Sequence, residues 1–350
     1  MNKLLYTICI VLVWRALLST KTIVNVNAVN LETIADSLCR SYLSYYPEEK
    51  INSTRVWKCS YNGDYAVTGV NETIESCPKS TIVEINYDWI QTFENKTHNL
   101  FGYVSYSLEK SLVVVSFRGT DKYSLKNWME NLSILRTMPY PYNPDVEVHR
   151  GFYHAFSSVR FMVWEALKTA LSICDTCNRV HFTGHSLGGA SATVAMGEAI
   201  LDGFRELYSL NYRKREYPEF VVELHTFGQP RIGNVNFTHL FENYTTWRVV
   251  NDQDMVPHIP PVYSGYQHVA SELWETPTSL KGNDCYFKQL SSCNGSGEDE
   301  NCADSYRVAH SIADHYSYMA MSSPYTEGEE TVWNRIMPMH TRMMLIKKEN

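Results

Sequence analysis

Apolar residues recur at helical spacing over 31–46 (LETIADSLCRSYLSYY), and this pattern predicts a first helix. Two β-rich runs, Tyr103–Ser107 and Leu112–Phe117, flank Leu108-Glu109-Lys110 and read as a hairpin. Val180–Thr183, Val221–Phe227 and Trp247–Val250 are further short β-rich runs bounded by turn residues. Helix-like segments over 152–172 and 187–205 lie between the runs. Strands alternating with helices of this length predict an α/β class: a mostly parallel central sheet with helices on both faces. The hairpin adds antiparallel character toward the N-terminal edge. No Pro-, Gly- or Ser-rich break interrupts 80–320, so a single domain over 29–350 is expected.

The first residues follow a different pattern. Lys3 precedes an apolar run from Leu4 to Trp14, which resumes at Ala16–Leu18 and is too short to span a bilayer. It reads as a secretory signal over 1–28, with Val26-Asn27-Ala28 as the small-residue cleavage site. Sequons at Asn52, Asn71, Asn95, Asn131, Asn236, Asn243 and Asn294 agree with export of a glycoprotein. So do the cysteines. Beyond Cys9 they number eight (Cys39, Cys59, Cys77, Cys174, Cys177, Cys285, Cys293 and Cys302), an even set suited to disulfides in an oxidising compartment. Cys174-Asp175-Thr176-Cys177 follows a helix-like segment rather than opening one, which favours a structural mini-loop disulfide over a redox pair.

Composition narrows the function. Hydrophobic residues at 44% and charged residues at 20% exclude disordered, collagenous and coiled-coil classes. A formal charge of -7 argues against a nucleic-acid partner, because phosphate neutralisation needs clustered Lys and Arg. A mean hydropathy of -0.30 excludes a multi-span membrane protein, and no further transmembrane segment is expected. No Cys/His spacing resembles a zinc site and no HExxH occurs, so neither metal nor cofactor is expected.

Gly184-His185-Ser186-Leu187-Gly188 follows a β-rich run and opens an Ala-rich helix, the strand–turn–helix context that a nucleophile elbow requires. The turn strains the serine, so the positions two before and two after it must lack bulk. Ser186 is the candidate nucleophile, raised at a helix N-terminus that favours negative charge. An oxyanion needs two preorganised donors. Leu187 offers its N–H, and Thr120, after the exit Arg118-Gly119, offers an N–H and a hydroxyl. Gly119 is expected to allow the turn. A carboxylate should follow a later strand, where Asp252 and Asp254 compete. For the base, His310 and His315 both qualify as loop histidines beyond the last cysteine. His258 is too close to the acid, His268 falls in a β-like run and reads as structural, and the His185 ring points away from the serine hydroxyl.

These residues resemble the class 3 (fungal-type) triacylglycerol lipases, a family that also includes feruloyl esterases and invertebrate secreted lipases. The resemblance runs from about residue 100 to 320 through Ser116-Phe117-Arg118-Gly119-Thr120, Asn127-Trp128, Val148-His149-Arg150-Gly151-Phe152, Gly184-His185-Ser186-Leu187-Gly188-Gly189, Thr226-Phe227-Gly228-Gln229-Pro230-Arg231-Ile232-Gly233-Asn234, Asp254-Met255-Val256-Pro257-His258-Ile259-Pro260-Pro261 and Asp314-His315. It implies an α/β-hydrolase fold with Asp254 as acid, His315 as base and Thr120 as oxyanion residue. It also implies a helical lid over Tyr123–Leu132, with Tyr123, Leu125 and Trp128 on its apolar side. It further implies a Cys293–Cys302 disulfide; the accompanying pairs are then expected to be Cys59–Cys77, Cys174–Cys177 and Cys39–Cys285. The activity implied is ester hydrolysis at a lipid–water interface. Feruloyl or other carboxylesters, phospholipids and a non-catalytic lipid-binding role are the alternatives.

Overall fold

The computed structural model describes residues 30–54, 56–62, 66–68, 80–120, 122–203, 221–279, 286–306, 308–319 and 321–322. The expected signal over 1–28, the sequon at Asn71, and both Cys77 and Cys285 lie outside the described residues.

Nine strands form the main sheet. In chain order they are β1 (Ala66–Thr68), β2 (Trp89–Asn95), β3 (Leu100–Ser107), β4 (Leu112–Phe117), β5 (Arg179–His185), β6 (Val221–Phe227), β7 (Thr245–Asn251), β8 (Glu272–Ser279) and β9 (Tyr286–Ser292). Their spatial order is β1-β9-β8-β7-β6-β5-β4-β3-β2. The centre from β4 to β8 is parallel, and the predicted hairpin is the antiparallel pair β3–β4. Every residue of β4 is buried, as both faces of a parallel sheet require.

The helices that bear on the site are α1 (Leu31–Leu43), α2 (Lys122–Glu130), α3 (Arg150–Ser157), α4 (Arg160–Ile173) and α5 (Leu187–Glu198). Strand alternation divides β5 between two faces. Val180 and Phe182 join the large core shared with α3, α4 and α5. The intervening residues face α1, where the Thr183 hydroxyl donates to the carbonyls of Ser37 and His225. The Tyr103 and Ser116 hydroxyls donate to the Arg40 carbonyl at 2.7 and 3.1 Å, which fastens α1 to β3 and β4. Burial of each large core side chain such as Phe182 stabilises by roughly 1.5–3 kcal/mol.

Three sequence expectations need correction. The helix-like segment 152–172 is two helices, α3 and α4, broken at Ser158-Val159. There the Ser158 hydroxyl donates to the Ala155 carbonyl at 2.7 Å and competes with helix continuation. His268 lies in a loop rather than a strand. The third concerns disulfides. Cys174–Cys177 and Cys293–Cys302 are joined, but Cys39 is bonded to Cys59, with Cα atoms 6.0 Å apart. The expected Cys59–Cys77 and Cys39–Cys285 pairs are therefore both overturned. Val56–Asn62 pairs antiparallel with Ser80–Asn86, and α1 packs on that ribbon, which brings Cys59 to Cys39. Separation along the chain carries no information about such packing.

Candidate active site

Parallel register gathers the strand exits. Phe117 of β4 stands opposite Gly184 of β5, and His185 of β5 opposite Phe227 of β6. The loops after β4, β5 and β7 thus open at the carboxyl ends of the sheet, where α/β folds place their ligands.

Ser186 joins β5 to α5 with φ 59° and ψ -130°. A non-glycine residue held there stores on the order of 1–3 kcal/mol of strain. The neighbours explain the glycines. A Cβ on Gly184 would lie 2.3 Å from the Gly188 carbonyl carbon, and one on Gly188 would lie 2.1 Å from the Phe117 oxygen. The Ser186 N–H donates to the Phe227 carbonyl at 2.9 Å, tying the elbow to the end of β6.

Asp254 follows β7, and its Oδ2 lies 2.8 Å from Nδ1 of His315. The Tyr318 hydroxyl donates to the same oxygen, and the Val256 N–H donates to Oδ1 at 2.9 Å. An ionised carboxylate only accepts, so Nδ1 of His315 carries the hydrogen and Nε2 keeps its lone pair. Nε2 of His315 and Oγ of Ser186 are both buried without a hydrogen-bond partner among the described residues. Ser186, Asp254 and His315 are each 0% exposed.

The competitors are engaged elsewhere. Asp252 accepts from the Tyr306 hydroxyl at 2.8 Å. His310 is exposed. His258 bonds the Asp254 carbonyl through Nδ1 at 3.0 Å, and His268 is buried with Nε2 at the Pro257 carbonyl. Tyr318 lies in the Asp-His-x-x-Tyr spacing, but nothing in the pattern alone gives it a role.

Thr120 is buried at the exit of β4. Its neighbour Gly119 differs from expectation, because its φ is not in the left-handed region that a glycine turn would need. The reason for glycine is close approach. A Cβ there would lie 2.9 Å from the Ser186 Cβ, 2.5 Å from the His185 oxygen and 2.3 Å from the Tyr45 hydroxyl. The candidate oxyanion loop therefore rests directly on the elbow. Leu187 opens α5, where first-turn N–H groups have no partner within the helix.

α2 follows at once. Leu125 is fully buried, while Trp128 and Leu132 are partly buried against the core. Trp128 stacks on Phe152 with ring centroids 6.1 Å apart. Tyr123 belongs to α2, but its side chain lies outside the described residues. Asn131, the sequon residue, is exposed just past the helix. His149 caps α3, and its Nε2 contacts the Ser133 carbonyl beyond α2. Burial pushes His149 down to about 4.

Glu272, Cys293 and Cys302 lie together, but the two sulfurs are bonded to each other, leaving no thiolate for a metal. Among the described residues no helix is long and apolar enough to cross a membrane.

Residues 114–264 match the family model for lipase (class 3). That match supports a relationship to the class 3 lipases. Its fold is the α/β-hydrolase fold of its structural neighbours. The chain is 30% identical over 219 residues to a lipase of Rhizomucor miehei, covering 61% of this chain and 53% of that protein. It is 31% identical over 199 residues to the secreted mono- and diacylglycerol lipase 1 of Fusarium solani, covering 55% of this chain and 52% of that protein. The solved Rhizomucor miehei lipase propeptide complex superposes with a TM-score of 0.53 at 25% identity, covering 67% of this chain and 68% of that one. The chain spans about half the length of the curated relatives it matches.

Proposed function

We propose that the chain is an exported serine hydrolase of lipid esters, a triacylglycerol lipase in the first instance. Its catalytic domain begins near residue 29. The observation that carries this reading is the buried Asp254–His315 pair, whose open Nε2 shares the site with the strained Ser186. Nε2 of His315 takes the Ser186 proton as the oxygen attacks the ester carbonyl. The oxyanion accepts from Thr120 and from the N–H of Leu187. Collapse expels the alcohol, which leaves with the proton from His315. Water, deprotonated by the same base, then releases the acid from the acyl-serine. Asp254 holds the ring and stabilises the imidazolium.

Two features favour lipids over feruloyl esters. α2 hides Leu125 and Trp128, and swinging it aside turns this apolar surface outward, which is favourable only against lipid. The relatives are named lipases, one of them a secreted mono- and diacylglycerol lipase, which makes partial glycerides a second substrate class. Export is supported by the disulfides and by the apolar N-terminal run.

The test is hydrolysis of dispersed trioctanoin, dioctanoin, dioleoyl phosphatidylcholine and methyl ferulate side by side, with Ser186→Ala as blank. Glyceride cleavage that disappears in the blank is expected. Cleavage of methyl ferulate alone would move the reading to a non-lipid esterase. N-terminal sequencing of the protein recovered from culture medium checks export.

A further inference from the structure

His185 precedes the nucleophile by one residue, and strand alternation turns its ring to the α1 face of β5. The ring is buried. Its Nε2 lies 2.7 Å from the main-chain carbonyl oxygen of His315, and its Nδ1 lies 2.7 Å from the Tyr45 hydroxyl. A carbonyl only accepts, so Nε2 must carry the hydrogen. In a neutral imidazole Nδ1 is then the acceptor, and the Tyr45 phenol donates to it. Burial, with His315 nearby, holds His185 well below the ordinary histidine range, so the ring is neutral. The His185 and His315 rings lie 4.6 Å apart, and Tyr42 meets His185 edge-on at 5.5 Å.

We infer that Tyr45 and His185 are positioning residues, in which the phenol fixes the His185 tautomer and the Nε2–H clamps the backbone of His315 so that its ring is aimed at Ser186. The inference rests on the ester-hydrolase reading. His315 sits in a single short turn, Asp314–Tyr316, held between a β-bridge of Ser311 to Asp254 and the two-residue strand Ser317–Tyr318. The Asn251 side chain holds the carbonyls of Asp314 and Ser317 on either side. The carbonyl of His315 itself is held by His185. The Tyr45 hydroxyl also occupies the space that a Cβ on Gly119 would need. One phenol just past α1 thus touches the elbow residue and the oxyanion loop, and reaches the base through His185. It lies outside the segment 114–264 that matches the family.

The test compares Tyr45→Phe, His185→Gln and His185→Met with the wild type. The readouts are the rate of Ser186 modification by a fluorophosphonate, kcat and KM on dispersed trioctanoin, and Tm. Tyr45→Phe should slow both phosphonylation and kcat about tenfold, with KM within about twofold and Tm within a few degrees, because misaimed catalytic groups lose rate rather than binding. His185→Met should lose on the order of 100-fold. His185→Gln, whose amide N–H can reach the same carbonyl, should recover most of that loss. Tyr45→Phe added to His185→Met should cost nothing more, since the phenol acts through the ring. A purely structural role would lower Tm alike in His185→Gln and His185→Met, with no rescue of kcat. Phosphonylation of Tyr45→Phe at the wild-type rate would overturn the clamp alone. A wild-type protein that takes no phosphonate would overturn the hydrolase reading and the clamp with it.

Discussion

Oδ2 of Asp254 lies 2.8 Å from Nδ1 of His315, although 61 residues separate the two along the chain. That bond sets the tautomer in which His315 can accept a proton. Asp254→Asn should therefore lower kcat roughly 10⁴-fold, as loss of the correct tautomer does in serine hydrolases. Asp252→Asn and His310→Ala should stay within a few-fold of wild type in the same ester assay. A comparable collapse in Asp252→Asn would transfer the acid role to the neighbour.

Thr120 carries the candidate side-chain donor of the oxyanion hole. Thr120→Val keeps the volume and the backbone N–H but removes the hydroxyl. Loss of one such donor costs roughly 10²–10³ in kcat. Steady-state kinetics should show that loss with KM little changed; an unaltered kcat would show that only the N–H matters there.

The stack of Trp128 on Phe152 fastens α2 to the body. An aromatic pair of this kind contributes about 0.5–1.5 kcal/mol beyond its burial, equivalent to a few-fold to tenfold shift in an opening equilibrium. Trp128→Ala should raise activity on dissolved short-chain esters by about that factor. The ratio of activity above the substrate's solubility limit to activity below it should fall. A ratio that stays constant would mean that α2 does not gate access.

Acid should destabilise the protein over a definite window. Burial depresses His149 to about 4 and His225 to about 3, and it depresses His181, His185 and His268 as well. Below about pH 6.5 the unfolded chain binds protons at these rings while the native chain does not, so stability falls with pH down to about 4 for His149 and about 3 for His225. Asp304, raised to about 6, works in the opposite direction between its unfolded value and that point. The depressed histidines outnumber it. Thermal melts from pH 7 to 4 should show Tm dropping by more than several degrees, with a shallower slope in His225→Gln. A flat profile would contradict the buried neutral rings.

The Cys39–Cys59 bond anchors α1 to its ribbon. Closing a loop of this length stabilises a native fold by about 2–4 kcal/mol. Cys39→Ser should lower stability by that order in chemical denaturation, and peptide mapping without reduction should recover residues 39 and 59 in one cross-linked fragment. A fragment joining residues 59 and 77 would restore the arrangement the spacing suggested.

What the chain reveals by itself follows the range of the physics involved. The elbow is legible because its requirement is local: Gly184 and Gly188 flank Ser186 within five residues, and both are forced by close approach of backbone. The mostly parallel sheet is legible because strands alternate with helices along the chain. The choice between Asp252 and Asp254 is not legible from pattern, since both follow β7. It depends on Tyr306, brought in from beyond the Cys293–Cys302 bond, which engages Asp252. By sequence Gly119 looks like a turn residue, because no local rule reports that a phenol from the N-terminal segment stands over it. The break at Ser158-Val159 escaped for a related reason: apolar spacing runs through it, and neither glycine nor proline marks it.

The serine hydroxyl that should do the chemistry has no surface in contact with water. On the proposed reading, a substrate reaches that oxygen only after a door opens. Rates measured in homogeneous solution would then report how often the door stands ajar, and the intrinsic speed of bond-making would emerge only once a boundary phase props it open.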